Sequence, residues 1–273
     1  MQTKTWVLIG IVYLLLVMGM YGFITGKNIF QNNMIHEEHS EEFVEESDVD
    51  HSGHNQHENH GTGKSQVITH VMYQEDQLMI QLEDDEGNIP DLDISHEKEM
   101  HVIVVSNDLK QYLHLHPEKQ DEGVFVINQS LADGEYQIFV DVSPKGKMYT
   151  PSANAMQVGE APTAKTQLEE DVVWTKEIEG KTVTLETVEA IVDEPVQLVF
   201  DLHGETPEPY LGALGHVVIL DEAVETFIHV HPASNDETRF DAHFTQSGTY
   251  KLWAEFQFRD EGIIAFPFVI EVN

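Results

Sequence analysis

The chain of 273 residues contains no cysteine. This excludes disulfides, thiolate zinc sites and a lipoprotein acylation site, and leaves any soft-metal chemistry to histidine, methionine and carboxylate. Positive charge is scarce: 14 Lys+Arg stand against 49 Asp+Glu, a formal net charge of -35. Such a surface repels nucleic acid and anionic headgroups and accumulates cations, so no nucleic-acid partner is expected. Enzyme motifs are missing as well, with no Gly-rich phosphate loop, no HExxH and no Gly-x-Ser-x-Gly elbow. At this acidity abundant carboxylates read as solvated surface, and the expectation is a protein that is not an enzyme.

The hydrophobic share of 41% is enough for ordinary cores. The length suits two domains of about 100 residues with additional segments. One such segment opens the chain. Trp6 to Ile24 is an uncharged apolar run, and as a helix it would span about 28 Å, close to the hydrocarbon thickness of a bilayer. Residues 1–27 are therefore expected to be an N-terminal membrane anchor that touches lipid through residues 6–24, leaving the rest outside the cytoplasm. A cleaved signal peptide is the alternative, with Val17-Met18-Gly19 as a weak cleavage site. Apolar character continuing to Ile24 favours the transmembrane helix.

Composition then changes abruptly. Residues 28–65 carry His36, His39, His51, His54, His57 and His60 among glutamates and aspartates, with few apolar residues. A segment of this kind buries too little surface to offset its ordering entropy, so a disordered tether is expected. Four of its histidines recur at intervals of three, a compositional signal for divalent metal.

Beyond the tether, apolar residues alternate in short runs broken by turn signals such as Glu86-Gly87-Asn88 and Asp133-Gly134. An all-β fold is expected, with two tandem Ig-like or cupredoxin-like β-sandwiches at 66–160 and 168–273. Pro151 to about Glu170 reads as the connection, with 161–167 as the linker proper. The halves repeat each other. His101, His114 and His116 in the first recur as His216, His229 and His231 in the second, displaced by 115 positions (216 minus 101). Asp133-Gly134-Glu135-Tyr136 matches Ser247-Gly248-Thr249-Tyr250 after a one-residue gap, and Phe139 then matches Trp253. A tyrosine entering a late strand just after glycine suits the corner found in such sandwiches.

In His114-Leu115-His116 and in His229-Val230-His231 the two histidines share one face of a strand, about 7 Å apart. The simplest arrangement turns the aliphatic neighbours into the core and the imidazoles outward. A third imidazole from a neighbouring strand, His101 or His216, would complete a three-nitrogen site in each domain, suited to Cu(II) or Zn(II). Proton competition would then weaken binding near pH ~6.5, where free imidazole titrates. Met100 beside His101 makes copper worth considering, although alternation points it to the opposite face. His243 is a possible further ligand in the second domain. His70 and His96 have no counterparts in the second copy and rank lower, and His203 reads as a surface or turn residue. Tandem duplication copies structural residues as faithfully as ligands, so histidines bonded to backbone carbonyls at a Pro-directed turn are the competing interpretation.

The stretch Asp93 to Pro117, the segment Glu208 to His216, and Ile228-His229-Val230-His231-Pro232 followed by Gly248 to Trp253 resemble a family of largely uncharacterised bacterial envelope proteins. Its members have tandem HxHP-containing β-sandwich domains and often a His-rich N-terminal segment. The resemblance covers roughly Gln66 to the C-terminus. It implies an extracytoplasmic location and a link to heavy metals, copper in particular, and it implies no activity. Two functions compete: a membrane-tethered protein that captures or buffers copper, with zinc as the alternative ion, and a non-catalytic Ig-like envelope interaction module with structural histidines; a metal-dependent surface enzyme is a weaker third.

Overall fold

The computed structural model describes residues 64–160, 167–186, 189–230, 232, 234 and 237–273. The apolar segment 6–24, the tether histidines His36 to His60, nearly all of the linker and His231 lie outside them. No helix among the described residues is long and apolar enough to cross a membrane.

The described chain is all β. The first repeat comprises β1 (Val67–Gln74), β2 (Gln77–Asp84), β3 (Leu92–Asp93), β4 (His101–Ser106), β5 (Tyr112–Leu115), β6 (Glu118–Asp121), β7 (Val124–Asn128), β8 (Gly134–Asp141), β9 (Ser143–Pro144) and β10 (Asn154–Val158). The second comprises β11 (Thr175–Ile178), β12 (Lys181–Leu185), β13 (Pro195–Asp201), β14 (His216–Asp221), β15 (Phe227–Val230), β16 (Arg239–His243), β17 (Gly248–Phe258) and β18 (Gly262–Val272). Each repeat stacks two four-stranded sheets: β1-β2-β7-β6 on β10-β8-β4-β5, and β11-β12-β13-β16 on β15-β14-β17-β18. The strands that alternation marks out are present. β1 also forms, as an edge strand with one face half-open. The connection expected from Pro151 onward is shorter than the composition suggests, because β10 pairs with β8 along Asn154–Val158.

The internal repeat extends to strand ends and turns. β4 and β14, β5 and β15, and β7 and β16 start 115 positions apart (216 minus 101, 227 minus 112, 239 minus 124). The tyrosine corner occurs twice: the Tyr136 hydroxyl donates to the Ala132 carbonyl and the Tyr250 hydroxyl to that of Gln246, each at 2.9 Å. Within each sandwich the alternating inward residues form one core. Leu78, Ile80, Val102, Val104, Phe125 and Ile138 fill the first, and Leu198, Val217, Ile219, Phe240, Leu252 and Phe268 the second.

A third core joins the repeats. Every residue of β4 is buried, which explains why His101-Val-Ile-Val-Val-Ser106 reads as a continuous apolar run rather than an alternation. Val102 and Val104 face their own sandwich. Ile103, Val105, Leu109 and Phe139 instead pack with their counterparts Val218, Leu220, Val224 and Trp253. Aromatic stacks cross over between the repeats: Tyr112 lies on Trp253 with centroids 4.6 Å apart, and Phe227 on Phe139 at 5.1 Å. Each fully buried side chain of this size contributes roughly 1.5–3 kcal/mol, so the two sandwiches are held together by a shared apolar core. Trp253→Ala should cost about 3–5 kcal/mol and displace one common calorimetric endotherm. A second endotherm left at the parent temperature would show that the repeats unfold independently.

Candidate metal centre

The triad geometry follows from strand register. β4 and β5 are antiparallel, with Val102 opposite Leu115 and Ile103 opposite His114. Continuing that register sets His116 beside His101, so the 13-residue interval is the path out along one strand and back along the next. Leu113 and Leu115 pack on the first core, as the alternation implies. The histidines do not face solvent, however. They lie on the face that the other repeat covers, because the central strands β4 and β14 are buried on both sides.

His101 Nε2 donates to the Ser95 carbonyl at 3.0 Å, and His114 Nδ1 donates to the Glu255 carboxylate at 2.6 Å. Each ring thereby turns its other nitrogen inward as a lone-pair donor. His101 Nδ1 lies 3.1 Å from His114 Nε2 and 3.1 Å from His116 Nε2. The three donor atoms are all within 4.8 Å of one another. A ring nitrogen has one lone pair and can accept from one neighbour, so protons alone cannot satisfy both approaches. A tetrahedral ion with metal–nitrogen bonds of about 2.0–2.1 Å would separate its ligands by about 3.4 Å. The residues fit such an ion, and His101 Nδ1, His114 Nε2 and His116 Nε2 would hold it.

The second repeat contributes to the same place. His216 Nε2 donates to the Tyr210 carbonyl at 2.9 Å, and the ring is fully buried with Nδ1 lacking any hydrogen-bond partner. His229 Nδ1 donates to Asp141 at 2.6 Å. Ring centroids of His101 and His229 are 5.5 Å apart, and those of His114 and His216 are 6.2 Å apart. The sequence suggests a separate triad in each domain, and the structure instead gathers His101, His114, His116, His216 and His229 into one cluster between the repeats. The reason is the third core, which presses the two histidine-bearing faces together. Asp141 lies opposite His101 in the β4–β8 pairing and Glu255 opposite His216 in the β14–β17 pairing. Each carboxylate therefore belongs to the repeat opposite the histidine it orients.

His96 joins the cluster, with its ring 5.2 Å from that of His216 and 5.5 Å from that of His229. The second copy offers no matching histidine, so the repeat does not single it out. Asp141 and Glu255 stand two positions beyond the aligned Phe139 and Trp253, and this equivalence is the sequence signal for them. Met100 faces the first core, on the opposite side from the cluster. His243 is exposed on β16, paired with Pro195 of β13 in the sheet that does not carry the cluster, and takes no part. His70 is exposed beside Glu83 at 3.0 Å, and His203 is an exposed turn residue with positive φ.

Burial pushes the imidazoles away from their charged form. Desolvation, reinforced by neighbouring histidines, lowers His101 and His116 to about 3. Desolvation lowers His216 to about 4, against the opposing pull of the Tyr210 carbonyl. The proton competition expected near 6.5 from free imidazole is thus displaced downward for these ligands. Burial and then the nearby Glu255 carboxylate raise the Tyr112 hydroxyl well above its ordinary range, so it stays protonated.

A family model described as a domain of unknown function (DUF8832) matches residues 63–158 and again 176–273. No curated protein matches the chain. Among solved structures, CopC from Methylosinus trichosporium OB3b is 17% identical, covering 32% of this chain and 85% of that one, with a TM-score of 0.23. A two-domain fibronectin type-III segment of chicken tenascin is 11% identical over 75% of this chain and 97% of that one, TM-score 0.23. The Escherichia coli adhesin FdeC is 14% identical over 77% of this chain and 65% of that one, TM-score 0.24.

The buried histidines set a sign for pH dependence. Between pH ~6.5 and their folded values of about 3 to 4, the unfolded chain protonates His101 and His216 while the folded chain does not. Their contribution is complete above ~6.5 and is lost as pH falls, by roughly 1.4 kcal/mol per pH unit for each histidine. Urea denaturation of metal-free protein between pH 6.5 and 4.5 should show this slope, reduced in His101→Gln and His216→Gln. Identical slopes in parent and variants would contradict it.

Proposed function

This chain belongs to the DUF8832 family, and we propose that it is a metal-capture protein of the cell envelope that binds copper in preference to zinc between its two repeats. The observation that supports the reading is the convergence of His101 Nδ1, His114 Nε2 and His116 Nε2, with their other contacts to Ser95, Glu255 and Tyr210. Imidazole donors suit both ions, and among divalent first-row metals Cu(II) binds such sites more tightly than Zn(II). The formal charge of -35 would raise the local cation concentration around the protein. On this reading the apolar segment 6–24 tethers the protein to the membrane with the repeats outside the cytoplasm. The six tether histidines bind ions weakly and deliver them, and the protein works by binding, without catalysis.

The test uses the full-length chain with His36, His39, His51, His54, His57 and His60 changed to Gln. After loading with Cu(II) or Zn(II) and desalting, this parent should retain metal, and a hundredfold excess over Kd should stabilise it by about 2.7 kcal/mol. His114→Gln with His116→Gln should abolish the retention by their triad, read at a temperature where circular dichroism shows the apo variant folded. A parent that retains no metal would sink the proposal and favour structural histidines in an interaction module. Glu255→Gln keeps the hydrogen bond to His114 but removes its charge, and should weaken metal affinity about 10–100-fold. Unchanged affinity would show that the opposite repeat does not tune the site.

A further inference from the structure

We infer that the cluster is a two-ion centre, and that His96 of the first repeat is a ligand of the second ion, together with His216 and His229. This rests on the metal-binding reading above and goes beyond it by assigning a second position and an inter-repeat ligand. Copper and zinc take about three or four nitrogen ligands, so one ion cannot use every imidazole present. The donor atoms of His101, His114 and His116 already converge as one group of three. The remaining rings neighbour one another at separations wider on the whole and would draw together around an ion. His96, His216 and His229 have centroid separations of 5.2, 5.5 and 6.1 Å, against 5.3, 4.9 and 4.8 Å in the first group. Three imidazoles on one tetrahedral ion would have centroids about 5 Å apart, given metal–nitrogen bonds of about 2.0–2.1 Å.

The donor atoms are assigned by what the other nitrogens do. His216 spends Nε2 on the Tyr210 carbonyl, and its Nδ1 is buried with no hydrogen bond. A buried acceptor left in that state is costly unless something binds it. His229 spends Nδ1 on Asp141, which directs its Nε2 to the ion.

His96 is placed by a turn that both repeats possess. The Ser95–Lys98 bridge corresponds to the Tyr210–Ala213 bridge, each displaced by 115 (210 minus 95). The turn residues share left-handed backbone, with φ of 47° at His96 and 63° at Glu97, against 52° at Leu211 and 79° at Gly212. The turn is thus a feature of the fold in both copies, and the imidazole is an addition in one. It lies nearer His216 and His229 than His101 of its own repeat, at 5.9 Å. The two halves of the centre are therefore chemically unequal, one completed by its own repeat and the other from across the interface.

The test takes the same tether-substituted full-length parent and counts Cu(II) retained against a competing chelator, with electron paramagnetic resonance to detect dipolar coupling between neighbouring ions. His96→Leu copies the residue that the second repeat carries at this turn, and His96→Asn is a second variant tolerant of left-handed backbone. The variant that keeps the apo thermal midpoint is the one read. The parent should bind two coupled Cu(II) ions. The His96 variant should keep one and bind the other at least tenfold more weakly, with the coupling lost at matched loading. His114→Gln should instead weaken the first ion. A parent that binds a single ion would overturn the two-ion centre while leaving metal capture standing, as would His96 variants that both keep two coupled ions at parent affinity. A parent that binds none would fail the metal reading itself.

Discussion

The arrangement depends on one exchanged contact: an imidazole of each repeat donates to a carboxylate of the other. His114 reaches Glu255 and His229 reaches Asp141, both at 2.6 Å. In the first pair both side chains are almost wholly removed from water, 2% and 5% exposed. Such a pair is expensive to break from one side, because the remaining partner would be buried without compensation. It adds little as glue and much as specification. Both pairs are satisfied together in the observed docking of the two sandwiches.

Apolar packing supplies the force that this polar pattern directs. Ile103, Val105, Leu109 and Phe139 meet their own counterparts across the interface, so the duplicated face recognises itself. A strand buried on both sides needs apolar residues in both directions, and His101 and His216 stand where that rule is broken. The break is tolerated because each ring is held by a carbonyl, Ser95 or Tyr210, on its outer nitrogen. The histidine-to-carbonyl contact expected of a purely structural residue is thus present and sets the tautomer that leaves the inner nitrogen able to ligate.

Burial shapes the chemistry as well as the geometry. Desolvation keeps His101, His116 and His216 neutral far below the titration range of free imidazole, and a neutral ring is the form that donates to a metal. The same desolvation would exclude water and hydrated cations from an apolar cavity. Here the lining is imidazole and carboxylate, and the surrounding surface carries excess negative charge. A site with these properties favours an ion that sheds water for nitrogen ligands.

Along the chain itself, composition and spacing determined the all-β class, the internal repeat and the candidate tyrosine corners, while the meeting of His101 with His114 and His116 was decided by the β4–β5 register. The first three depend on local rules: a side-chain period of two, turn residues at fixed offsets, and a strand-turn-strand path of constant length. The union of the two histidine sets was decided only in three dimensions, because the same alternation is satisfied whether the second face of β4 meets solvent or another domain. The double burial of β4 and β14 appears only in the fold. His96 had no counterpart to draw attention to it, and Asp141 and Glu255 looked like two acids among 49. Their roles exist only across the interface, where residues more than 80 positions apart are brought within hydrogen-bond distance by the packing of one repeat on the other.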